Sequence, residues 1–396
     1  MKPLSGNVQG IQRSPIRQIL DSAKAYPDAI ELEIGQPDFD PPTHVIEAAV
    51  DAARNQYTGY TANAGILELR EAICTKLARE NGLEVGTDEI MVTVGAMQAI
   101  FSSMAVVLEA GDQILLPDPG YGNFESAARL LCAEPVYYAT LPDRGFEPDF
   151  EQLEQLVTPR TKVMLVNSPS NPTGAVFSRE VLMRCLAFCQ KHDLYMISDE
   201  TYDQLLFEGA HHSPAKWDDE GRVISVFTTS KTYAMTGWRI GFAVANPEIV
   251  RQMTKIQEPT VSCVNTVAQH AAVAALLGPQ DCVAHMREQY RRRRDVAVQV
   301  AEELGLKVSN PQGAFYMLVD ISSQPACSLD FALDLLDKEG VAVGPGCAFG
   351  PICDRYVRIS FCASESDLRQ GLTRLARYLS ARTPLSRILS ATATVA

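Results

Sequence analysis

The fold is inferred first from residues 162–199, which read KVMLVNSPSNPTGAVFSREVLMRCLAFCQKHDLYMISD. The apolar runs at its two ends, Lys162–Asn167 and Leu194–Asp199, predict buried strands. Between them, Arg179–His192 has helical spacing, and Ser178 is a typical N-cap residue. A strand, a helix and a second strand in this order predict two parallel strands joined by a crossover helix.

The same alternation extends over the middle of the chain. Further apolar runs predict strands, and helical segments such as Ala96–Leu108 lie between them. We therefore predict an α/β fold whose large domain has a seven-stranded, mostly parallel sheet flanked by helices. The additional strands are predicted at Glu89–Val94, Gln113–Leu116, Pro135–Ala139, Val223–Thr228 and Ile240–Ala245.

A second, smaller α+β domain is predicted from the change of pattern after about Asn246. A long helical region comes first, and strands follow at Ala314–Val319, Val341–Val343 and Tyr356–Ser360. The N-terminal segment, with a short strand at Ile30–Ile34, is expected to pack with this domain. The predicted boundaries are 1–45 for the N-terminal arm and part of the small domain, 46–284 for the large domain and 285–396 for the small C-terminal domain. The tail after Arg382 has no readable pattern, and we expect it to be poorly ordered.

Composition excludes several classes of function. The 396 residues include 46% apolar residues and carry a formal net charge of −13, which predicts neither a nucleic-acid partner nor an anionic membrane partner. Met1–Ser14 lacks the apolar segment of a signal peptide, so a cytoplasmic protein is expected. The ten cysteines show no paired zinc-ligand spacing, and no metal site is predicted. Arg291–Arg294 is interpreted as a solvated helix face, and His211 with His212 as a solvated loop.

Polar residues follow several of the predicted strands, and ligands of open α/β sheets bind at the carboxyl ends of strands. Asn171 follows one strand, Asp199 ends the next, and Thr228, Ser230 and Lys231 follow another. A lone lysine of this kind is usually a solvated loop residue. Here it accompanies a carboxylate at the end of an apolar strand, and a buried carboxylate requires a cationic partner.

With these segments, the chain resembles the fold-type I enzymes that depend on pyridoxal 5'-phosphate (PLP), and within them the class I/II aminotransferases. The resemblance covers nearly the full length, with the motifs in the family's order and spacing. The motifs are Gly35–Phe39, Tyr60 with Gly65 and Leu69–Arg70, Gly95–Gln98, Pro119–Tyr121, Asn171–Gly174, Asp199–Tyr202, Ser230–Lys231, Gly237–Arg239 and Arg358–Ser360.

The resemblance implies roles for the residues around the PLP ring. Lys231 is expected to form the Schiff base and to move a proton between the substrate α-carbon and the cofactor. Asp199 is expected to keep the ring nitrogen protonated, which strengthens the electron sink. Asn171 and Tyr202 are expected to hydrogen-bond the ring oxygen, and Tyr121 to stack on the ring. Lys231, Asp199 and Tyr202 are therefore the predicted catalytic residues.

The phosphate of PLP needs hydrogen-bond donors. The helix after strand Glu89–Val94 supplies free backbone N–H groups at Ala96 and Met97, together with the positive end of the helix dipole. Further donors are expected from Thr228, Ser230 and Arg239, and from Tyr60 of the partner subunit. The contact from Tyr60 implies a homodimer with active sites shared across the interface.

Substrate binding is expected at Arg358, Gly35 and Asn171. The resemblance implies that Arg358 grips the substrate α-carboxylate as a bidentate clamp and that the backbone near Gly35 lines the same pocket. Because Arg358 and Lys231 belong to different predicted domains, substrate binding is expected to draw the domains together.

The fold supports several reactions on an amino acid, so local motifs are used to choose among them. Thr236–Gly241 and Gly313–Tyr316 resemble the aspartate, aromatic and kynurenine aminotransferase group, which favours transfer of an amino group to a 2-oxo acid. The alternative is a lyase or cyclase similar to aminocyclopropane carboxylate synthases or amino-acid cyclases. A non-enzymatic PLP-sensing regulator is disfavoured, because about 30 residues before the first motif are too few for a winged helix.

The amino donor is predicted from one departure. Some aspartate-preferring relatives have a lysine where this chain has Met97, and a methionine cannot pair with a distal carboxylate. A neutral, apolar or aromatic L-amino acid is therefore favoured as donor. A basic residue elsewhere, such as Arg17, is an alternative source of the missing charge.

Overall fold

A computed structural model describes residues 2–382, and the chain divides into two compact units. The large unit comprises residues up to 12, 36–289 and 312–314, and the small unit comprises 13–35, 290–311 and the residues from 315 onward. The expected disorder of the tail after Arg382 lies outside the described residues.

The large unit contains one sheet of seven strands, which confirms the predicted fold class. The strands are β2 Ile90–Thr93, β3 Gln113–Asp118, β4 Glu134–Ala139, β5 Thr161–Asn167, β6 Tyr195–Asp199, β7 Val223–Thr228 and β8 Gly241–Val244, after β1 (Ile30–Glu31) of the small unit. Their order across the sheet is β2-β8-β7-β6-β5-β3-β4. Only β8 runs antiparallel to its neighbours, β2 and β7.

The helices of the large unit lie on both faces of this sheet, and two apolar cores result. Successive residues of a strand point to opposite faces, so Val92 and Phe242 belong to one core, whereas their neighbours Met91 and Ala243 belong to the other. Helices of the large unit are α1 Gly6–Gln9, α3 Thr43–Arg54, α4 Leu67–Lys76, α5 Gly95–Val107, α6 Asn123–Leu130, α7 Phe150–Leu156, α8 Arg179–Lys191, α9 Thr229–Thr232, α10 Pro247–Thr260 and α11 Thr266–Leu277, with α2 Pro15–Ala23 in the small unit and α12 at Asp281–Glu303.

Element boundaries in the large unit differ from the predicted ones by one or two residues for local reasons. Glu89 belongs to a 3₁₀ turn, so β2 begins at Ile90. Gly95 has φ +73°, which ends the strand region and begins α5 one residue before the predicted helix. Ser178 caps α8 as predicted, since its hydroxyl accepts a hydrogen bond from the Val181 N–H at 3.3 Å.

The small unit has a three-stranded antiparallel sheet and a two-stranded parallel pair. Its strands are β1 Ile30–Glu31, β9 Tyr316–Asp320, β10 Val341–Ala342, β11 Gly344–Pro345 and β12 Tyr356–Ser360, and its last helices are α13 Ser328–Glu339 and α14 Glu365–Arg382. The strand predicted at Val341–Val343 ends at Ala342, because β10 pairs with β1 whereas the next strand, β11, pairs with β12. The strand predicted from Ala314 begins at Tyr316, because Ala314 has φ +55°.

Among residues 2–382, the structure contains no helix that is both long and apolar enough to cross a membrane.

Candidate active site

The carboxyl ends of three neighbouring strands bring Asn171 and Asp199 together. In the sheet register, Asp199 of β6 lies between Asn167 of β5 and Val226 of β7. The Asn167 side chain donates to the Asp199 carbonyl at 3.1 Å and accepts from the Asn171 N–H at 2.8 Å. Asn171, 7% exposed, is thereby fixed beside the end of β6.

Asp199 is a buried carboxylate at the rim of the sheet. Its Oδ1 accepts hydrogen bonds from the Thr201 hydroxyl at 2.6 Å and from the Thr201 N–H at 3.1 Å. Burial raises the pKa of Asp199 to about 6, although the Thr201 hydrogen bonds act to lower it. Tyr202, also buried, follows in the same turn. A cation placed against this carboxylate would favour its ionised form.

Lys231 lies in the short helix α9 directly after β7. Thr228, the last residue of β7, caps α9: its hydroxyl accepts from the Ser230 N–H at 3.2 Å and donates to the Ile240 carbonyl at 2.7 Å. The Ser230 hydroxyl lies 2.9 Å from that of Thr228. These contacts hold the turn that carries the half-buried Lys231 at the same rim as Asp199.

The start of α5 and the start of β8 form a site suited to an anion. Because β8 is antiparallel, Arg239 just before it lies at the rim where the parallel strands end. Its guanidinium donates to the Thr236 carbonyl at 2.9 Å and the Val94 carbonyl at 3.4 Å. A Cβ on Gly95 would overlap this guanidinium, so the α5 terminus and Arg239 are in direct contact. A cavity of about 500 Å³ adjoins them, lined by Val94, Trp238 and Arg239 among others.

These features fit PLP. The first-turn N–H groups of α5, at Ala96 and Met97, and the Arg239 guanidinium suit a phosphate. Asp199 suits a protonated ring nitrogen, and Lys231 is an amine placed to bind an aldehyde. All of these predicted residues lie along one rim of the large unit.

Two predicted aromatic residues differ in how the fold holds them. Tyr121 lies after β3, where its hydroxyl accepts from the Asn123 side chain at 2.8 Å and its ring meets Phe124 edge-on at 5.6 Å. Tyr60 is 92% exposed, so within one chain it is not brought to the other site residues.

Arg358 and Gly35 come together in the small unit. Arg358, on β12, is 3% exposed and donates to the Glu33 carbonyl. Its guanidinium carbon lies 4.2 Å from the centre of the Tyr316 ring and 4.7 Å from that of Phe349. A Cβ on Gly35 would overlap the Tyr316 hydroxyl, so glycine allows the backbone to pass close to this ring. The planar guanidinium is thus held by cation–π contacts.

Sequence reasoning missed a buried polar cluster in the large unit. The prediction of a solvated loop is wrong for His211, whose side chain is 7% exposed and lies 3.0 Å from the Glu200 carboxylate. Lys76 forms a buried ion pair with Asp203. The spacing of Lys76 was a usable signal, because it falls on the same face of α4 as the buried residues Leu69 and Ile73.

Comparisons with known proteins agree with this geometry. The family model described as aminotransferase class I and II matches residues 27–375. The aspartate/prephenate aminotransferase of Thermus thermophilus is 40% identical over 96% of this chain and 99% of its own length. The aromatic-amino-acid aminotransferase 2 of Thermococcus litoralis is 36% identical over 95% of this chain and 98% of its own length.

Solved structures give the same result. A single mutant of the aspartate aminotransferase of Thermus thermophilus has a TM-score of 0.91 and 40% identity, over 95% of this chain and all of that chain. An aromatic aminotransferase of Pyrococcus horikoshii has a TM-score of 0.87 and 38% identity, over 92% of this chain and 99% of that one. These likenesses fit amino-group transfer and not the lyase or cyclase alternative. The chain therefore belongs to the class I and II aminotransferases and is a PLP-dependent enzyme that moves an amino group between an L-amino acid and a 2-oxo acid.

Proposed function

We propose that this aminotransferase prefers neutral, apolar or aromatic L-amino acids as donors. The observation that supports the preference is Met97, half-buried in the first turn of α5. A thioether has no charge with which to pair a distal carboxylate, and it packs well against apolar and aromatic groups. Relatives named for aspartate and for aromatic amino acids both occur, so the donor is decided by residues of this chain.

We propose that Lys231 is the catalytic residue that holds PLP covalently. When bound, PLP provides the electron sink that makes the substrate α-proton acidic. With PLP and substrate in place, the Lys231 amine would serve as the general base that accepts the α-proton and as the acid that gives it back. The Thr228–Ser230 contacts orient the turn that carries this amine.

In the same proposal, Asp199 holds the ring nitrogen in its protonated form. A buried carboxylate whose pKa is raised by burial gains most from a cationic partner. Asn171 and Tyr202 donate to the ring oxygen, and Tyr121 covers one face of the ring. The Ala96 and Met97 N–H groups, Thr228, Ser230 and Arg239 hold the phosphate.

We further propose that Arg358 grips the substrate α-carboxylate. Its guanidinium, planar by its own bonding, contacts the Tyr316 and Phe349 rings, and these contacts fix its direction and lower the entropy lost on forming a bidentate contact. The backbone near Gly35 and the Asn171 side chain complete the proposed substrate contacts.

A homodimer is proposed, with Tyr60 of the partner subunit reaching each phosphate. Ile46 and Val50, both 41% exposed, lie one turn apart on α3, and Tyr57 is 53% exposed. Exposed apolar residues at this spacing are typical of an interface. We place the enzyme in the cytoplasm, because all ten cysteines are free, as expected in a reducing compartment.

Borohydride reduction followed by peptide mapping tests the proposed site. Reduction of the holoenzyme fixes the cofactor to the lysine that binds it, and the label is expected on Lys231. A label on another lysine contradicts the site. A screen of amino donors with pyruvate and 2-oxoglutarate tests the donor preference, and a strong preference for aspartate alone contradicts it.

A further inference from the structure

A buried polar cluster lies next to the proposed cofactor site in the large unit, and the proposed chemistry does not use it. We call it the Glu200 cluster; it comprises Lys76, Glu200, Asp203, His211 and Ser213. The side chains of the four ionisable members are between 1% and 7% exposed. Burying four ionisable groups is costly unless their charges are paired or neutralised.

Glu200 makes short contacts through both carboxyl oxygens. Its Oε1 accepts from the Ser213 hydroxyl at 3.0 Å, and that hydroxyl lies 3.4 Å from the Ser225 hydroxyl on β7. Its Oε2 lies 3.0 Å from Nε2 of His211. Neither of these two buried atoms has an aligned hydrogen-bond partner among the residues that the structure describes. Because a nitrogen and an oxygen at this distance repel each other when neither carries a proton, a shared proton is the arrangement that satisfies both atoms.

The surroundings decide which partner carries that proton. Burial raises the pKa of Glu200 to about 8, although hydrogen bonds from Ser225, Ser213 and Ser198 act to lower it. Burial lowers the pKa of His211 to about 4, although Asp203 acts to raise it; Lys76 and His212 lower it further. Near neutral pH both effects favour a protonated Glu200 and an uncharged His211.

The neighbouring charges cancel each other. Lys76 pairs with Asp203, and the Asn81 side chain accepts from Lys76 at 2.7 Å and donates to Asp203 at 3.2 Å. Burial acts to raise the pKa of Asp203, but the Lys76 charge and hydrogen bonds hold it below its ordinary value. The cluster as a whole is therefore neutral, and it adds no net charge beside the Asp199 carboxylate.

Backbone hydrogen bonds connect the cluster to the proposed cofactor residues. The Glu200 N–H donates to the Val226 carbonyl at 2.9 Å, and the Asp203 N–H donates to the Glu200 carbonyl at 3.0 Å. Asp199 precedes Glu200, and Tyr202 precedes Asp203. Alternation along the strand directs Glu200 to the face opposite Asp199. Anchors at Glu200 and Asp203 therefore hold the turn on which Asp199 and Tyr202 lie.

We propose that Glu200 is a positioning residue: its protonated carboxyl donates to His211, and this uncharged pair, with the Lys76–Asp203 ion pair, fixes Asp199 and Tyr202 without placing a second carboxylate charge beside Asp199. The inference rests on the proposed role of Asp199 as partner of the PLP ring nitrogen. It predicts that a neutral residue of the same shape can replace Glu200.

Two substitutions in the holoenzyme separate this proposal from a purely structural role. Glu200→Gln keeps the shape and the neutral donor, so the PLP dissociation constant and the pH midpoint of the bound cofactor's absorbance are expected to stay within about twofold and about 0.2 pH unit of wild type. Glu200→Ala leaves His211 and Ser213 without their partner. PLP binding is then expected to weaken on the order of tenfold and the absorbance midpoint to move.

Leu153→Ala is the matched control, because it removes a fully buried side chain from α7. It is expected to lower the melting temperature without moving the absorbance midpoint. If Glu200→Gln weakens PLP binding as much as Glu200→Ala does, the carboxyl is required in its charged form and the proposal is overturned.

Histidine NMR of the holoenzyme tests the proposal even if Glu200→Ala does not fold. The His211 ring, assigned with a His211→Asn variant, is expected to show one protonated nitrogen at pH values between about 6 and 8. An imidazolium signal over this range overturns the proposal. Such a result, together with a borohydride label on Lys231, leaves the proposed function intact, whereas a label elsewhere contradicts the proposed function itself.

Discussion

At the scale of single residues, Asp199 faces two opposed requirements. It must be ionised to serve the cofactor ring, yet it is 6% exposed at the end of an apolar strand. Burial makes ionisation costly and raises its pKa to about 6. The apoenzyme therefore contains a strained carboxylate, and binding of a cationic ring removes that strain. Stability and cofactor affinity are expected to respond to Asp199 in opposite directions.

Asp199→Asn is expected to stabilise the apoenzyme at alkaline pH. The folded pKa of about 6 exceeds the ordinary 3.8, so the stability that Asp199 contributes is complete below about pH 4 and is lost as the pH rises through 6. Asparagine never ionises, and the gain in unfolding free energy is roughly 3 kcal/mol at about pH 8. Urea unfolding without PLP measures it, and the same gain at about pH 4 would contradict the explanation. PLP binding to this variant should be weaker.

Met97→Lys is expected to shift the donor preference toward aspartate. A lysine in the first turn of α5 would add a charge that pairs with a distal carboxylate. The kcat/KM for aspartate relative to that for phenylalanine is therefore expected to rise on the order of tenfold or more. The kcat/KM values for aspartate and phenylalanine measure the shift. Met183→Lys, on the exposed side of α8 at 42% exposure, adds the same charge away from the site and serves as the control. An unchanged ratio in Met97→Lys would place donor recognition elsewhere, for example at Arg17.

How far individual residues could be predicted depended on their position along the strands. Asn171, Asp199 and Lys231 follow strand ends, and parallel strands place such residues at one rim, so their proximity was predictable. The proximity of Glu200 and His211 was not predictable, because Glu200 directly follows β6 whereas His211 lies in a loop further along the chain. Tertiary packing, which leaves no local pattern, determines that His211 is buried.

At the scale of elements, α5 connects the sheet to the proposed phosphate site. Its thirteen residues begin at Gly95, whose φ of +73° turns the chain where it contacts the Arg239 guanidinium. The apolar pattern predicted this helix and the strand before it. The one-residue shift at its start follows from the left-handed glycine, since only a residue without a Cβ fits against the guanidinium.

Gly95→Ala is therefore expected to weaken PLP binding on the order of tenfold or more. The added methyl must take a left-handed conformation and displace Arg239, and each effect costs about 1 kcal/mol or more. Fluorescence titration of the apoenzyme with PLP measures the dissociation constant. Gly237→Ala, in the same loop as Arg239 but with open space around its Cβ position, is the control. Equal affinities in the two variants would show that the helix start does not hold the phosphate.

Strand boundaries in the small unit were less predictable than those in the large one. The short strands β1, β10 and β11 have two residues each, and their partners change within a few positions. The Leu32 N–H donates to the Ala342 carbonyl, and the Leu32 carbonyl accepts from the Ser360 N–H. The chain therefore changes its partner from β10 to β12 directly after β1. Local propensity does not report such exchanges, because hydrogen-bond partners distant in the sequence decide them.

At the scale of the whole molecule, the proposed homodimer makes the enzyme's site dependent on two chains. Tyr60 is 92% exposed in one chain although it lies within a family motif, and the exposed apolar residues of α3 accompany it. An aromatic residue so exposed gains burial only by contact with another molecule. If Tyr60 serves the site of the partner subunit, pairing a Tyr60 variant chain with a Lys231 variant chain places both defects in the same site of the dimer.

Mixing two variants that are impaired at limiting PLP tests this arrangement. Lys231→Ala removes the covalent link, and Tyr60→Ala removes a phosphate contact. In a mixed dimer with shared sites, both defects fall in one site and the other site is native. When equal amounts are unfolded and refolded together, half of the dimers are mixed, so activity at limiting PLP is expected to recover to about a quarter of wild type. If Tyr60 instead acted within its own chain, each site of the mixed dimer would keep one defect, and the mixture would be no more active than the two variants measured separately.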